Sequence, residues 1–345
     1  MKLAVVGATG LVGSVILKVL EEGKYLSISD SDELILTASH ASVGKKIAFN
    51  GKELSVISIE DAITKIPDIA IFSAGSDTSI KYAREFTKHG SAVVDNSAAW
   101  RMYPDVPLVV PEVNIHTVNQ GQLLIANPNC TTIQLVMALA PLHLRYGIKR
   151  IVISTYQSVT GSGVRGVSQL ENERKGKLHS EDKFYPHQID LNLFPQAGTF
   201  AEDGYNTEEA KIINETRKIL VDESIMISPT VVRVPVIGGH SESVNVELKV
   251  SFEINEVRKL ISEMPGIIVL DEPLKSIYPM PITAHGRDEV FVGRIRRDNS
   301  CENALNLWIV ADNLRKGAAT NAVQIAASIL SNRRALKNLN PIDNH

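Results

Sequence analysis

The sequence predicts an α/β chain of two domains, a mostly parallel, doubly wound sheet first and an α+β unit with an antiparallel sheet second. Three observations carry this. The 345 residues exceed what one hydrophobic core usually organises. Up to residue 128, short apolar, β-branched runs alternate with helical stretches, the pattern of strands buried on both faces. Beyond residue 150 the runs lengthen and several alternate apolar with polar residues, as in a sheet with one covered face.

In chain order, 2–7 (KLAVVG) is the first strand and LVGSVILKVLEE the helix after it. Further short strands follow at 33–39 (ELILTAS), 54–58 (LSVIS), 69–75 (IAIFSAG), 92–97 (AVVDNS), 108–114 (LVVPEVN) and 123–128 (LLIANP). The longer strands are 151–159 (IVISTYQSV), 243–250 (SVNVELKV), 289–297 (EVFVGRIRR) and 304–312 (ALNLWIVAD). Segment 177–198, rich in Pro, Asn and His, reads as an excursion between elements. The Ala-rich 313–334 is the last strong helix, expected to pack back on the first domain, and 335–345 reads as a fraying tail. The expected partition is 1–128, completed by the C-terminal helix within 313–345, and 129–312.

Hydrophobic residues make up 44% and charged residues 22% of the chain, an ordinary globular balance without a run near the ~18 apolar residues of a membrane span. A formal charge of −3 offers no electrostatic basis for binding nucleic acid or an anionic membrane. Cys130 and Cys301 are the whole cysteine content, which suits a reducing cytoplasm and excludes a disulfide framework. The apolar opening LAVVGATGLVG imitates a signal-peptide core. Its glycines recur every third residue and no basic leader precedes it, so it reads as structure.

Those glycines, Gly7, Gly10 and Gly13 of GATGLVG, directly follow a strand and open a helix. Glycine there permits a tight turn and lets backbone N–H groups approach a pyrophosphate at the helix start. The competing reading is a glycine-lined turn with no ligand. An NAD enzyme often carries Asp or Glu for the ribose hydroxyls at the end of the second strand. Here Thr37-Ala38-Ser39-His40-Ala41-Ser42 holds no carboxylate, which favours NADP. Ser39 and Ser42 are candidate donors to its 2′-phosphate, against the ordinary reading of turn serines as backbone caps.

Most reductases with this glycine spacing that act on alcohols use a tyrosine with lysine four residues on, and none of the eight tyrosines here has one. Cys130, in ANPNCTT, is the alternative. It follows the strand LLIA and a Pro-restricted Asn127, with Asn129 placed as N-cap and Cys130 in the first helical turn. Free N–H groups and the helix dipole favour a thiolate there. Cys301 has no such setting and reads as a small buried hydrophobe.

Eight motifs occur in one order: GATGLVG, SAGSDTS, DNSAAWR, VPEVN, NPNCTT, TYQSVTGSG, NTEEAK and VRVPVIGGHS. Together they resemble the aspartate-semialdehyde dehydrogenase family, over roughly residues 2 to 335. The resemblance implies a Rossmann-type nucleotide domain and a catalytic, dimerising second domain. It also implies NADPH-dependent conversion of L-aspartyl-4-phosphate to aspartate semialdehyde with release of phosphate, and no metal. That reaction feeds lysine, methionine, threonine and isoleucine synthesis.

By the same resemblance Cys130 is the acyl-accepting nucleophile, with Asn129 beside it as an oxyanion donor, and His240 is the acid/base, its pKa expected near the free value of ~6.5. Gln157 orients the acyl group and Arg233 clamps the α-carboxylate, bidentately as only a guanidinium can. Arg101 and Lys211 match the phosphate binders and Glu208 the ammonium binder. Glu208 and Lys211 lie three apart on one helix face, where an ordinary solvated ion pair is the competing reading. For the cofactor, the resemblance implies Gly7, Thr9, Gly10, Leu11, Val12 and Gly13 at the pyrophosphate. It places Ser73, Ala74 and Gly75 beyond them, Thr160 and Gly161 at the nicotinamide, and Asn313 at its carboxamide.

One departure stands out. Many relatives read Ser-x-Arg-Ser after the second strand, and here that arginine is Ala41. Weaker discrimination between NADPH and NADH follows, or replacement of the arginine by His40 or Lys45. Two enzyme families share the plan less well: N-acetylglutamyl-phosphate reductase, whose substrate has no ammonium for Glu208, and glyceraldehyde-phosphate dehydrogenase, whose cysteine context differs. A non-catalytic NADP-binding paralogue is the reading from another class, and retention of Cys130, Gln157, Arg233 and His240 together argues against it. A homodimer through the second domain is expected.

Overall fold

The computed structural model describes residues 1–177 and 183–339. They divide into two units, 1–128 with 318–339, and 129–317.

Among the described residues the first unit holds a seven-stranded sheet in the order β3-β4-β2-β1-β5-β6-β7. Its strands are β1 (Lys2–Val6), β2 (Glu33–Thr37), β3 (Lys46–Phe49), β4 (Lys52–Ile57), β5 (Ile69–Phe72), β6 (Ala92–Asp95) and β7 (Leu124–Ala126). All pairings are parallel except β3 with β4. The sequence reading missed β3. Asn50 (φ 47°) and Gly51 (φ 73°) make the two-residue turn that joins Phe49 to Lys52, and Asn-Gly is the residue pair that such a hairpin favours.

Helices α1 (Leu11–Glu22), α2 (Ile59–Thr64) and α3 (Ser76–Lys88) supply crossovers. The expected strand at 108–114 is not one. Leu108 alone bridges Ala126, and Pro111 begins a helical turn, α4 (Pro111–Asn114), as proline at a first helical position does. The Asn114 side chain accepts the Val110 N–H and donates to the Leu108 carbonyl, which folds the segment back on itself.

Among the described residues of the second unit a six-stranded sheet runs β11-β12-β13-β10-β8-β9. Its strands are β8 (Ile148–Gln157), β9 (Met226–Arg233), β10 (His240–Leu248), β11 (Ile267–Val269), β12 (Val290–Arg297) and β13 (Ala304–Ala311). The central pairings are antiparallel, while β8–β9 and β11–β12 are parallel, so the sheet is mixed at its edges. The β8–β9 edge is parallel because α6 (Gly163–Arg174), the excursion and α7 (Thr207–Leu220) intervene, a connection long enough to return the chain in the same direction. Within the excursion, 178–182 lie outside the described residues.

Helices α5 (Cys130–Tyr146), α7 and α8 (Ile254–Glu263) cover one face of this sheet. Alternation along β8 buries Ile151, Ile153, Thr155 and Gln157 on that face. A further short helix, α9 (Pro281–Ala284), precedes β12.

The helix expected from 313 starts later. Asp312 accepts the N–H groups of Leu314 and Arg315 with its carboxylate and that of Gly317 with its carbonyl. A π-helical turn, Arg315–Ala319, therefore precedes α10 (Thr320–Leu339). Ala319 of that turn and Ala322, Val323, Ala326 and Ile329 of α10 join the core of the first unit, where small side chains allow close approach to β5, β6 and α1. The helix continues into the expected tail as far as Leu339, and 340–345 lie outside the described residues.

Candidate active site

The first unit supplies a cradle at the carboxyl ends of β1 and β5. Gly7 has φ of 93°, and a Cβ there would stand 2.8 Å from the Ser73 carbonyl carbon and 3.0 Å from the Ala74 nitrogen. At Gly13 a Cβ would fall 2.1 Å from the Gly7 oxygen. Gly7 thus lets the two loops touch, and Gly13 lets α1 close on them. β1 lies between β2 and β5, so the cradle sits where the strand order reverses, the place where doubly wound sheets bind ligands.

Gly10 caps α1 and Gly75 caps α3, neither with a side-chain acceptor, which leaves the first N–H groups of both helices to a ligand. Thr9 is exposed, Leu11 is half-buried, and Val12 packs against the core, so Val12 can offer a ligand only backbone. The Ser73 hydroxyl donates to the Val6 carbonyl at 3.2 Å. These features fit a pyrophosphate.

After β2, Ser39 precedes the turn His40–Ser42. The Ser42 N–H donates to the Ser39 carbonyl, Ser42 is buried, and His40, Ala41 and Lys45 are exposed. Glu60, in the first turn of α2, comes within electrostatic reach of His40. Sequence reading looked for a carboxylate only at the second strand and missed this one. The Tyr82 hydroxyl, donating at 2.5 Å, holds the Glu60 carboxyl below the usual range, helped by His40 and Lys81.

Arg101 also belongs to this unit. It is buried, its Nε donating to the Asn127 carbonyl at 2.9 Å and its Nη2 to the Asn96 carbonyl at 2.8 Å.

The other candidates lie in the second unit. Asn129 caps α5, its Oδ1 accepting the Thr131 N–H at 3.1 Å and the Thr131 hydroxyl at 2.5 Å. One N–H of its Nδ2 donates to Glu208 at 2.9 Å, which fixes the amide orientation and leaves the second N–H for an oxyanion. Cys130 opens the helix with Sγ 4.0 Å from Asn129 Oδ1. A Cβ at Gly317 would sit 2.8 Å from the Cys130 Cβ, so that glycine is what gives the cysteine its space.

Glu208 and Lys211 pair with each other, but both side chains are mostly shielded and Glu208 also meets Asn129, so this is not the solvated surface pair of the competing reading. Glu215, two turns beyond Glu208 on the same face, is buried and accepts the Asn129 N–H at 2.6 Å, fixing the cap from below. The spacing 208–215 on a helix was the signal available for it.

Gln157 and Arg233 are register partners on β8 and β9, and His240 opens β10 next to the Ser241–Tyr156 pair. Their side chains share one end and one face of the sheet. A Cβ at Gly161 would lie 3.1 Å from Arg233 Nη1 and 3.2 Å from His240 Nε2, which shows how closely the two crowd that space.

Ser158, not singled out from the sequence, organises them. Its N–H donates to His240 Nδ1 at 3.1 Å and its carbonyl accepts from Arg233 Nη1 at 2.7 Å. Asn313 Oδ1 accepts the hydroxyls of Ser158 at 3.1 Å and Thr160 at 2.9 Å. Cys130 approaches the same sheet face through α5. One turn on from it, Gln134 donates to the His240 carbonyl at 3.4 Å.

His240 is fully buried, and this corrects the expected pKa. Loss of solvent, reinforced by the Arg233 charge, lowers it from 6.5 to about 3. With Nδ1 accepting from Ser158, the neutral ring carries its proton on Nε2. That Nε2, Arg233 Nε and Gln157 Nε2 are buried donors without a hydrogen-bond partner. Among the described residues no group of three or more His, Cys, Asp or Glu could hold a metal, and no helix is long and apolar enough to cross a membrane.

Comparison with known proteins agrees with this layout. The family model for the semialdehyde dehydrogenase NAD binding domain matches residues 2–121, and that for the semialdehyde dehydrogenase dimerisation domain matches 139–316. Fold and site together thus define a semialdehyde dehydrogenase with a nicotinamide cofactor. Aspartate-semialdehyde dehydrogenase of Aquifex aeolicus is 52% identical over 333 residues, covering 94% of this chain and 96% of the relative. That of Bacillus subtilis is 42% identical, covering 95% and 97%. The crystal structure of aspartate semialdehyde dehydrogenase II from Vibrio cholerae matches with a TM-score of 0.90 at 41% identity, covering 96% of this chain and 98% of that one. The chain belongs to the aspartate-semialdehyde dehydrogenase family.

Proposed function

We propose that the protein makes L-aspartate 4-semialdehyde from L-aspartyl-4-phosphate, with NADPH as reductant and Cys130 as acyl carrier, in the synthesis of lysine, methionine, threonine and isoleucine. The observation that supports this most is the set of three buried donors without acceptors at one sheet end, Gln157 Nε2, Arg233 Nε and His240 Nε2. A ligand rich in carboxylate and acyl oxygens supplies those acceptors. The Vibrio cholerae enzyme, 41% identical, has also been solved as a complex with ASA.

In this reading the Cys130 sulfur attacks the acyl carbon and phosphate leaves, which splits a difficult reduction into two easier steps. N–H groups at the start of α5 stabilise the oxyanion. Arg233 clamps the α-carboxylate and Gln157 orients the acyl group. Glu208 and Lys211 exchange their mutual pair for the substrate's ammonium and phosphate, and Arg101 is the second phosphate cation.

A nicotinamide flanked by Thr160, Gly161 and Asn313 supplies hydride when bound. His240 acts first as a donor from Nε2 to the developing oxyanion. The substrate carboxylate, by neutralising Arg233, raises the ring's proton affinity toward the range in which it can also accept.

On the nucleotide side, Ser39 and Ser42 serve the 2′-phosphate, with His40 or Lys45 making up only part of the contact that an arginine at position 41 would give. The match of 139–316 to a dimerisation domain supports a homodimer.

Phosphate-dependent oxidation of aspartate semialdehyde reads the reaction in reverse. Wild type turns over, and Cys130→Ala retains the wild-type circular dichroism and thermal transition but no turnover. Residual activity in Cys130→Ala above about 10⁻³ of wild type would remove the thioester from the mechanism.

A further inference from the structure

Glu242 has no part in that mechanism, yet it is fully buried, and neither carboxyl oxygen has a hydrogen-bond partner. It lies two residues beyond His240 on β10, on the same face of the strand. Its register partner on β8 is Thr155, whose buried hydroxyl is also without a partner. Above both stands Gln134 of α5, 1% exposed, with its Oε1 unpartnered and its Nε2 donating to the His240 carbonyl at 3.4 Å.

Four unpartnered oxygens from three neighbouring side chains are too many to leave unexplained in a native core. An ionised carboxylate there would be an uncompensated buried charge, among the costliest arrangements a core can hold. A protonated carboxyl closes the account. A carboxylic acid and a carboxamide pair through two hydrogen bonds, the acid O–H to the amide oxygen and an amide N–H to the acid carbonyl. The second amide N–H of Gln134 remains for the His240 carbonyl, and the Thr155 hydroxyl can donate to the acid carbonyl as well. Consistently, burial pushes the Glu242 carboxyl well above its ordinary 4.5, with Gln134 offsetting only part of the shift.

We propose that Glu242 is a positioning residue for His240, paired as an acid with the Gln134 carboxamide. It turns the Gln134 nitrogen toward the His240 carbonyl and so fixes the backbone that carries the ring. The pairing also ties β10 to α5, the helix that opens with Cys130, so the two reacting groups are held by one buried polar link. This rests on the role proposed for His240, but one of its readouts does not.

The test uses the full-length enzyme. Infrared difference spectroscopy of wild type against Glu242→Gln at neutral pH should show the carbonyl stretch of a protonated carboxyl that the variant lacks, whatever the catalytic role of His240. Glu242→Gln, neutral and nearly isosteric, keeps one donor and one acceptor for Gln134 and should hold kcat within about threefold of wild type. Glu242→Asp keeps the acid but withdraws it by one methylene, and Glu242→Leu removes it. Both should lower kcat by about tenfold or more with KM little changed, because the group acts on the ring and touches no substrate. A carboxylate signature for Glu242 in wild type overturns the proposal, as does a Glu242→Gln enzyme as impaired as Glu242→Asp. A folded Glu242→Leu enzyme with wild-type kcat overturns it too. If Asp and Leu variants fail to fold, the infrared signature and Glu242→Gln kinetics still decide.

Discussion

His240 shows how far a residue's chemistry depends on what surrounds it. Its place in Gly-Gly-His-Ser, and the resemblance of that motif to a family pattern, were enough to single it out among nine histidines. Its protonation was not legible, because no local pattern says that β8, β9 and α5 will bury the ring. Ser158 and Glu215 were overlooked for the same reason. Each acts through backbone groups that only the tertiary fold brings near, and neither residue type announces such a role.

The buried ring has a consequence for stability. Its pKa lies near 3 in the fold against 6.5 in the unfolded chain, so between those values the unfolded chain binds more protons. The contribution of the neutral ring is therefore complete above pH 6.5 and is lost progressively as pH falls toward 3. His240→Asn lacks this dependence. Denaturant unfolding at pH 6.5 and at about pH 5 should show wild type losing roughly 1–2 kcal/mol more than the variant over that interval. Glu242 contributes with the opposite sign, losing stability as pH rises above its free value, and is common to both proteins, so it cancels in the difference. Equal pH dependence in the two would mean that water reaches the ring.

At the scale of elements, period-2 and period-3.6 patterns located most strands and α1 because those stretches bury one consistent face. The exceptions are instructive. Residues 108–114 carry a strand's composition, but Pro111 cannot donate to a ladder and Asn114 folds the chain back onto Leu108 and Val110. Residues 46–57 form two strands because Asn50 and Gly51 accept positive φ, a turn signal that outweighs the polar residues around it.

The loop after β2 matters most for chemistry. Ala41 is exposed where the family resemblance led to the expectation of an arginine, and Glu60, in the first turn of α2, lies within electrostatic reach of His40. A carboxylate there disfavours a dianionic 2′-phosphate, so the ratio of kcat/KM for NADPH over NADH should stay below about 10³. Ala41→Arg should raise it at least tenfold, roughly the worth of one charge-assisted pair. Steady-state kinetics with both nucleotides measures this, and a wild-type ratio above 10³ would show that His40 and Lys45 replace the arginine in full.

For the whole molecule, the second unit poses a question that its own helices do not answer. Helices α5, α7 and α8 cover one face of the six-stranded sheet; on the other, where the short α9 packs Ala284 against Phe291 and Val310, lie Val152 and Tyr156 on β8, Ser243 on β10 and Trp308 on β13. Tyr156 and Trp308 meet there with ring centroids 5.6 Å apart, beside a cavity of about 320 Å³ reached by Tyr278 and Met280. Antiparallel sheets can leave one face to water, and such faces are usually polar. Large aromatics gathered on a face with exposed Leu274, Tyr278, Met280 and Ile282 alongside are instead the composition of an interface core. The homodimer proposed above would bury this face against a second copy. Sedimentation velocity at micromolar concentration should then give a dimer for wild type. Trp308→Asp removes the large ring and sets a charge where two such faces would meet, and should shift the population to monomer by raising the dissociation constant at least about a hundredfold. Retained circular dichroism would show that the fold survives, because Trp308 is only half-buried within one chain. A wild type that sediments as monomer, or a Trp308→Asp protein that remains dimeric, would assign the aromatic face to something other than self-association.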